Sequence, residues 1–398
     1  MSVRKRQWLT GKGEARDGWV VDYTDAKGVR RLKTFARKRD ADAFAATATV
    51  EIREGVHVAD SASATVGEIA DLWLATAEAA GLERSTMAQY RAHVRLHIKP
   101  FIGPTRLSVL TIPAVRAFED RLREEGRSPV MIRKVLVSLG TMIADAQERG
   151  LAMRNPVRDM RKRRGGKERR AERRQKGKLK VGVHIPSTGE IRAMVAALEG
   201  RWRPLILTAI FTGLRSSELR GLRWSAVDLD RRELRVEQRA DRFNELGAPK
   251  SESGARAVPL PPLVANALKE WRLACPKGEL DLVFPNRAGG VESHRAICGR
   301  GLIPAQIRAG VSVDSGHRDE DGEPIMRAKY PGLHALRHFY ASWCINRVAD
   351  GGLGLPLKLV QERMGHASVV MTSDVYGHLF ENGDDGEEMA AAERALFG

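Results

Sequence analysis

Arg215, Lys250, His334, Arg337, His366 and Tyr376 follow one another along the C-terminal half of the chain. Together they are the side-chain types that phosphodiester transfer without a metal would need. Charge on the non-bridging phosphate oxygens grows in the transition state, and guanidinium groups match that geometry with paired hydrogen bonds. A hydroxyl nucleophile must lose a proton, which an imidazole near neutral pKa can accept. The leaving 5′ oxygen must gain one, which a lysine can supply. Attack by tyrosine stores the bond energy in a covalent phosphotyrosine, so no ATP is required. Taken singly, each residue also has an ordinary structural explanation. Arg215 would be a surface arginine between the helix-ending Gly213 and two serines able to cap the next helix, Lys250 a turn residue, and His366 and Tyr376 core residues. The case rests on the set.

Other chemistries find less support. His334 and His338 have the i, i+4 spacing of two zinc ligands, but Ala335 stands where the zincin pattern needs Glu. Arg337 beside them would repel a dication, so no metal and no cofactor is expected. The chain has no G-x-S-x-G elbow for a serine hydrolase and no GxxxxGK[ST] phosphate loop. Tyr330 and Tyr340 are rival nucleophiles in the same region, though neither sits in the segment RMGHASVVMTSDVYGH that holds His366 and Tyr376.

The elements that must carry these residues belong to a chain of 398 residues, long enough for two or three domains. Apolar residues make up 42% of it, enough for a sizeable core. Lys and Arg number 67 against 50 Asp and Glu, a formal charge of +17, which points to a polyanionic partner. A membrane partner is not expected, because the longest apolar run, Pro204 to Leu214, falls far short of the ~20 residues a spanning helix needs. No apolar stretch follows Arg4-Lys5-Arg6, so no secretory signal is expected. Three scattered cysteines, Cys275, Cys298 and Cys344, suit a reducing compartment. The expected location is cytoplasmic and nucleoid-associated.

The expected fold class is mainly α and multidomain. Residues 1–58 read as a small α+β module: strand-like Trp19–Tyr23 and Arg30–Phe35 flank a turn, and a helix over 39–54 follows. Residues 64–156 read as four amphipathic helices with Thr65, Ser85, Thr111 and Ser128 as N-caps. Their surface carries Arg84, Arg91, Arg95, Lys99, Arg133 and Lys134. Residues 157–183 read as a basic linker; its stretch 161–180 holds twelve Lys/Arg against Glu168 and Glu172, with no apolar period. Residues 184–398 read as a mainly helical domain with a β-hairpin inset, in which 234–236 and 257–260 flank the turn around Lys250. Polar residues 312–326 read as a loop insertion, and Glu388–Phe397 as a short helix with an apolar face.

TGLRSSELRGLRW, HALRHFYAS and RMGHASVVMTSDVYGH resemble the arginine, histidine–arginine and tyrosine boxes of the tyrosine recombinases, in particular phage-type integrases. The resemblance implies Tyr376 as nucleophile, Arg215 and Arg337 as clamps on the scissile phosphate, and Lys250 as general acid. It implies His334 as general base or proton relay, and His366 as a hydrogen-bonding partner of the phosphate. Residues 64–156 are similar to that family's SAM-like core-binding domain, and 1–58 more weakly to its arm-binding module. The implied partners are double-stranded DNA attachment sites, a homotetramer on DNA, and a host DNA-bending protein or excision factor. Phe339 and Tyr340 depart from the small or hydroxyl residues usual after the LRH triplet, and the basic linker and the 312–326 insertion are longer than the family pattern. Two other readings remain open: a catalytically silent DNA-binding regulator and a type IB topoisomerase-like enzyme.

Overall fold

The computed structural model describes residues 1–9, 11, 14–25, 28–54, 57, 59–163, 178–249, 251–380 and 385–397. The chain divides into two compact units, Met1–Gln175 and Lys176–Gly398, and it is mainly helical with small sheets.

The first unit opens with a three-stranded antiparallel sheet, Ser2–Leu9, Ala15–Thr24 and Arg30–Phe35, with the second strand central. Helix Lys38–Arg53 covers one face, and Val21, Tyr23 and Ala41 form the buried centre. Ser2–Leu9 escaped the sequence reading for a physical reason. It is an edge strand whose residues are exposed apart from half-buried Val3 and Trp8, so no alternating pattern marks it.

The rest of this unit is a helical bundle: Val66–Ala79, Arg84–His93, Ile112–Glu124 and Pro129–Glu148 around Ile69, Trp73, Phe118, Leu122, Leu136 and Leu139. Thr65 caps its helix through a reciprocal bond pair with Glu68, and Thr111 and Ser128 accept from Ala114 N and Met131 N. Ser85 is not a cap. Its helix starts at Arg84, and Glu83 occupies the cap position without a side-chain bond to the backbone. Residues 157–163, expected as the start of the linker, instead belong to helix Pro156–Arg163. Val157 and Met160 are buried in the bundle core, and Asn155 Nδ2 donates to Gly140 O at 2.7 Å. The apolar residues in that stretch are few, and the dense basic sequence after it masks them. Residues 164–177, most of the basic run, lie outside the described residues.

In the second unit, helix Trp202–Thr212 is buried from Pro204 to Ile210 and packs against helices Pro262–Ala274 and His334–Ile345. Strands Val227–Asp228, Glu233–Val236 and Arg256–Pro259 form an antiparallel sheet with Leu234 opposite Val258. Residues 312–326 form no open loop. Ser312–Arg318 pairs with Pro324–Ala328 as an antiparallel hairpin, its turn fastened by Asp319 Oδ1, which accepts from Asp321 N and Glu323 N. Its outer residues bury no apolar face, so composition alone reads as loop. Among the described residues, no helix is long and apolar enough to cross a membrane.

Candidate active site

Two left-handed glycines shape the floor of the site. Gly213, at φ +61°, ends helix Trp202–Thr212, and a Cβ there would collide with the Tyr340 ring. Gly365, at φ +59°, ends helix Leu357–Met364, and a Cβ there would lie 2.7 Å from Arg256 Nη1 and 2.9 Å from Ser253 O. Glycine alone adopts this conformation without penalty, and it also leaves room for these neighbours. The two turns bring the carbonyls of Gly213, Met364 and Gly365 to the arginines. Arg337, from helix His334–Ile345 and 2% exposed, donates from Nη1 to Gly213 O and from Nη2 to Met364 O. Arg215 donates from Nη2 to Gly365 O at 2.9 Å.

Glu218, one helical turn beyond Arg215, is the anchor of this arrangement. Its carboxylate accepts from Arg215 N and Nη1, both at 2.8 Å, and from Arg256 Nη2 at 2.9 Å. Burial alone would raise its pKa, but Arg256, by hydrogen bond and charge, and Arg215 hold it at about 2. Arg256 in turn reaches Arg363 O from Nε at 2.7 Å. The carboxylate offsets two clustered guanidinium charges and leaves other N–H groups of Arg215 and Arg337 available for an anion. Arg337 feels desolvation first and the Arg215 charge next, both of which lower its pKa.

Tyr376 is the last residue of helix Val369–Tyr376, which Ser368 caps, and it is 2% exposed. Its hydroxyl lies 2.7 Å from His338 Nδ1. The His366 ring lies parallel to the Tyr376 ring, with centroids 6.3 Å apart and 5° between planes. His366 Nδ1 also meets Thr372 Oγ1 at 2.9 Å. His334 packs edge-on against His338, with centroids 4.4 Å apart. Burial pushes the Tyr376 phenol up to about 12, against the opposing pull of Arg337 and Arg215. Burial and the same two arginines bring His366 down to about 4. Burial, then His334, Arg337 and His184, bring His338 down to about 4. Desolvation, Arg337 and Arg215 lower His334 as well. All three imidazoles are therefore neutral at pH 7 and can accept protons.

Five of the six residues singled out in the sequence, Arg215, His334, Arg337, His366 and Tyr376, thus meet in one cluster. Lys250 lies outside the described residues. The rival tyrosines are placed elsewhere: Tyr330 donates to Glu190 Oε2 at 2.9 Å, and Tyr340 is 1% exposed with its ring against Gly213. Among the described residues, no group of three His, Cys, Asp or Glu side chains could hold a metal ion. Three members of the site were missed in the sequence. Glu218 carried a usable signal, since a carboxylate three positions after the residue that opens a helix is half of a capping box. His338 was weighed only as a metal ligand. Arg256 offered none, because its partner Glu218 is 38 positions away.

Comparison with known proteins places this site in context. Residues 187–382 match the model of the phage integrase family. A tyrosine recombinase XerC-like protein of Caldanaerobacter subterraneus subsp. tengcongensis is 26% identical over 359 residues, 86% of each chain. Tyrosine recombinase XerC of Xylella fastidiosa strain 9a5c is 35% identical over 179 residues, which is 45% of this chain and 49% of that relative. The Tn1549 transposon integrase, solved in complex with a circular intermediate DNA, shares the fold with TM-score 0.61 at 19% identity, over 84% of this chain and all of that one. The lambda integrase, solved as a tetramer bound to a Holliday junction, gives TM-score 0.53 at 16% identity, over 91% of this chain and 95% of that one.

Proposed function

We propose, from the match of residues 187–382 to the phage integrase family of tyrosine recombinases, enzymes that break and rejoin DNA strands, that the chain is a site-specific recombinase acting through a covalent 3′-phosphotyrosyl intermediate to integrate or excise a mobile element such as a prophage. The observation that carries this reading is one connected cluster: Arg215 and Arg337 on the carbonyls of Gly365 and Met364, the His366 ring parallel to the Tyr376 ring, and the Tyr376 hydroxyl on His338 with His334 packed beside it. In the proposed reaction, Arg215 and Arg337 hold the non-bridging oxygens of the scissile phosphate. The Tyr376 Oη attacks phosphorus, the P–O5′ bond breaks, and the 5′ oxygen leaves with a proton from Lys250. His366 hydrogen-bonds the phosphate, and His334 acts as base or relay. Attack by the 5′-hydroxyl of another strand reverses these steps, so no external energy source is needed.

Further parts of the proposal concern the DNA. Arg95, Arg133 and Lys134 are exposed on the helical bundle, which suits residues 64–156 to a SAM-like core-binding role against a phosphate backbone. The sheet and helix of residues 1–58 would then be an arm-binding module, and residues 184–398 the catalytic domain. The C-terminal helix exposes Met389, Leu396 and Phe397, an apolar set that suits docking on a second copy in a homotetramer on DNA. A host bending protein or excision factor would complete the assembly.

The test is covalent capture. A nicked duplex taken from the junctions flanking the gene is incubated with the protein and run on a denaturing gel. A protein–DNA adduct formed by the wild type and lost in Tyr376→Phe is the expected result. A native gel shift without any adduct would overturn the catalytic reading in favour of a DNA-binding regulator. An adduct that relaxes supercoils but never exchanges strands would favour a type IB topoisomerase-like enzyme.

A further inference from the structure

We infer that His338 is the group that takes the proton from Tyr376 as its hydroxyl attacks the scissile phosphate, and that returns it when the strand is resealed. This rests on the recombinase reading above and assigns a step within it. Among the described residues, the Tyr376 hydroxyl makes a single hydrogen bond, to His338 Nδ1 at 2.7 Å. In the proposed step the hydroxyl donates, which requires the His338 tautomer with its hydrogen on Nε2 and its lone pair on Nδ1. The other two imidazoles are placed differently. His366 lies face to face with the tyrosine ring and engages Thr372 through Nδ1, while His334 meets His338 and not Tyr376. Reach comes before basicity in choosing a general base, and of the three imidazoles only His338 has it, which leaves His334, packed against His338, the relay of the two roles proposed above.

The proton inventory balances. The Oη–H bond breaks and the proton moves to Nδ1 as the Oη–P bond forms. The P–O5′ bond breaks, and the departing oxygen takes its proton from the general acid. In the return step the 5′-hydroxyl attacks, the Oη–P bond breaks, and Nδ1 gives its proton back to Oη. The groups that face His338 are Tyr376 and His334, the Arg337 guanidinium on the same helix, and His184 from the segment before helix Thr188–Ala196. Burial and these neighbours keep the imidazole neutral before the reaction. A phosphate anion seated on Arg215 and Arg337 offsets part of the charge that opposes protonation, so substrate strengthens the base at the moment of use.

The experiment measures single-turnover adduct formation on a nicked duplex from the element junctions, with a 5′-bridging phosphorothiolate at the scissile position. The sulfur leaves without a proton, so the general acid drops out of the pH profile. His338→Asn keeps an acceptor oxygen near the Nδ1 position but cannot carry the proton; His338→Ala keeps neither. The wild-type rate is expected to be flat from about pH 6 to about pH 8. His338→Asn is expected to fall about 100-fold at pH 7. Its rate should then climb about tenfold per pH unit as the phenol ionises on its own. Added imidazole should restore part of the His338→Ala rate. A His338→Asn enzyme with the wild-type rate and a flat profile would overturn the assignment and leave His338 a mere positioning contact. That outcome leaves the recombinase reading standing, which fails separately if the wild type forms no adduct or Tyr376→Phe still does.

Discussion

The two units each carry a pair of histidines four residues apart, and the pairs have different surroundings. In the bundle, His93 and His97 are both buried, with ring centroids 6.4 Å apart and His97 within the π turn Val94–Ile98. His93 Nδ1 meets Ser138 Oγ at 2.8 Å, and His97 Nδ1 is buried with no hydrogen-bond partner among the described residues. In the second unit His334 and His338 stand 4.4 Å apart with a tyrosine hydroxyl on one ring and Arg337 between them in sequence. Desolvation leads the downward pKa shift in all four. Spacing and depressed basicity are thus common to both pairs. What separates them is convergence: a tyrosine hydroxyl from another helix and the guanidinium groups of Arg337 and Arg215 accompany one pair and not the other. A histidine pair becomes a candidate for catalysis only when distant chain delivers its partners.

The largest expected effect lies where the site's charges are bound together. Glu218→Gln leaves Arg215 and Arg256 without their shared carboxylate and is expected to destabilise the second unit by about 3–5 kcal/mol, read by denaturant unfolding, and to abolish the adduct. The wild type should show the same dependence in acid. The folded pKa of Glu218 is about 2, below its ordinary value of 4.5. Its contribution is therefore complete above pH 4.5 and is lost as pH falls towards 2, amounting to about 3 kcal/mol. A stability unchanged by Glu218→Gln would break the claim that this carboxylate anchors the arginines.

The glycines sharpen the contrast next. Gly213→Ala forces a left-handed alanine into the Tyr340 ring and should lose about 2–4 kcal/mol. Gly81 has the same hand, φ +66°, but no heavy atom within 4 Å of the added Cβ, so Gly81→Ala should lose only about 1 kcal/mol. Equal losses would mean that backbone strain, not packing, dominates at Gly213.

The histidines give a pH test. His338 and His366 have folded pKa values of about 4, below the ordinary 6.5. The unfolded chain binds protons first, so stability falls as pH drops from 6.5 towards 4, by roughly 2 kcal/mol for each group. The double variant His338→Asn/His366→Asn should flatten that part of the curve, and a curve of unchanged slope would refute the assigned shifts. The smallest change is expected in the bundle. His97→Leu removes a buried nitrogen with no partner and should be neutral or stabilise by about 1 kcal/mol, with adduct formation untouched. A loss above about 2 kcal/mol would mean that His97 carries more than packing.

Local chemistry was the legible part. Thr65, Thr111 and Ser128 cap helices because a hydroxyl three residues before an amide needs no help from the rest of the chain. Gly213 stops its helix for an equally local reason. Ser85 was misplaced because Glu83 and Arg84 start the helix two residues earlier, and the edge strand Ser2–Leu9 and the hairpin at 312–328 were hidden because they bury little. Within the site, motif order singled out Arg215, His334, Arg337, His366 and Tyr376, while the structure alone showed how they are held.

By itself the sequence determined which groups could do chemistry, that Gly213 ends its helix, and where the helices capped by Thr65, Thr111 and Ser128 begin, since each depends on a few neighbouring residues. Tertiary structure decided the pairings: Arg215 with Gly365, 150 positions away, Arg337 with Gly213, 124 away, and Tyr376 with His338, not His334, 38 away. Such contacts depend on how helices dock through their buried faces. A four-residue spacing places two imidazoles on one helix side, but which of them meets the hydroxyl is set by the packing of the helix that carries Tyr376.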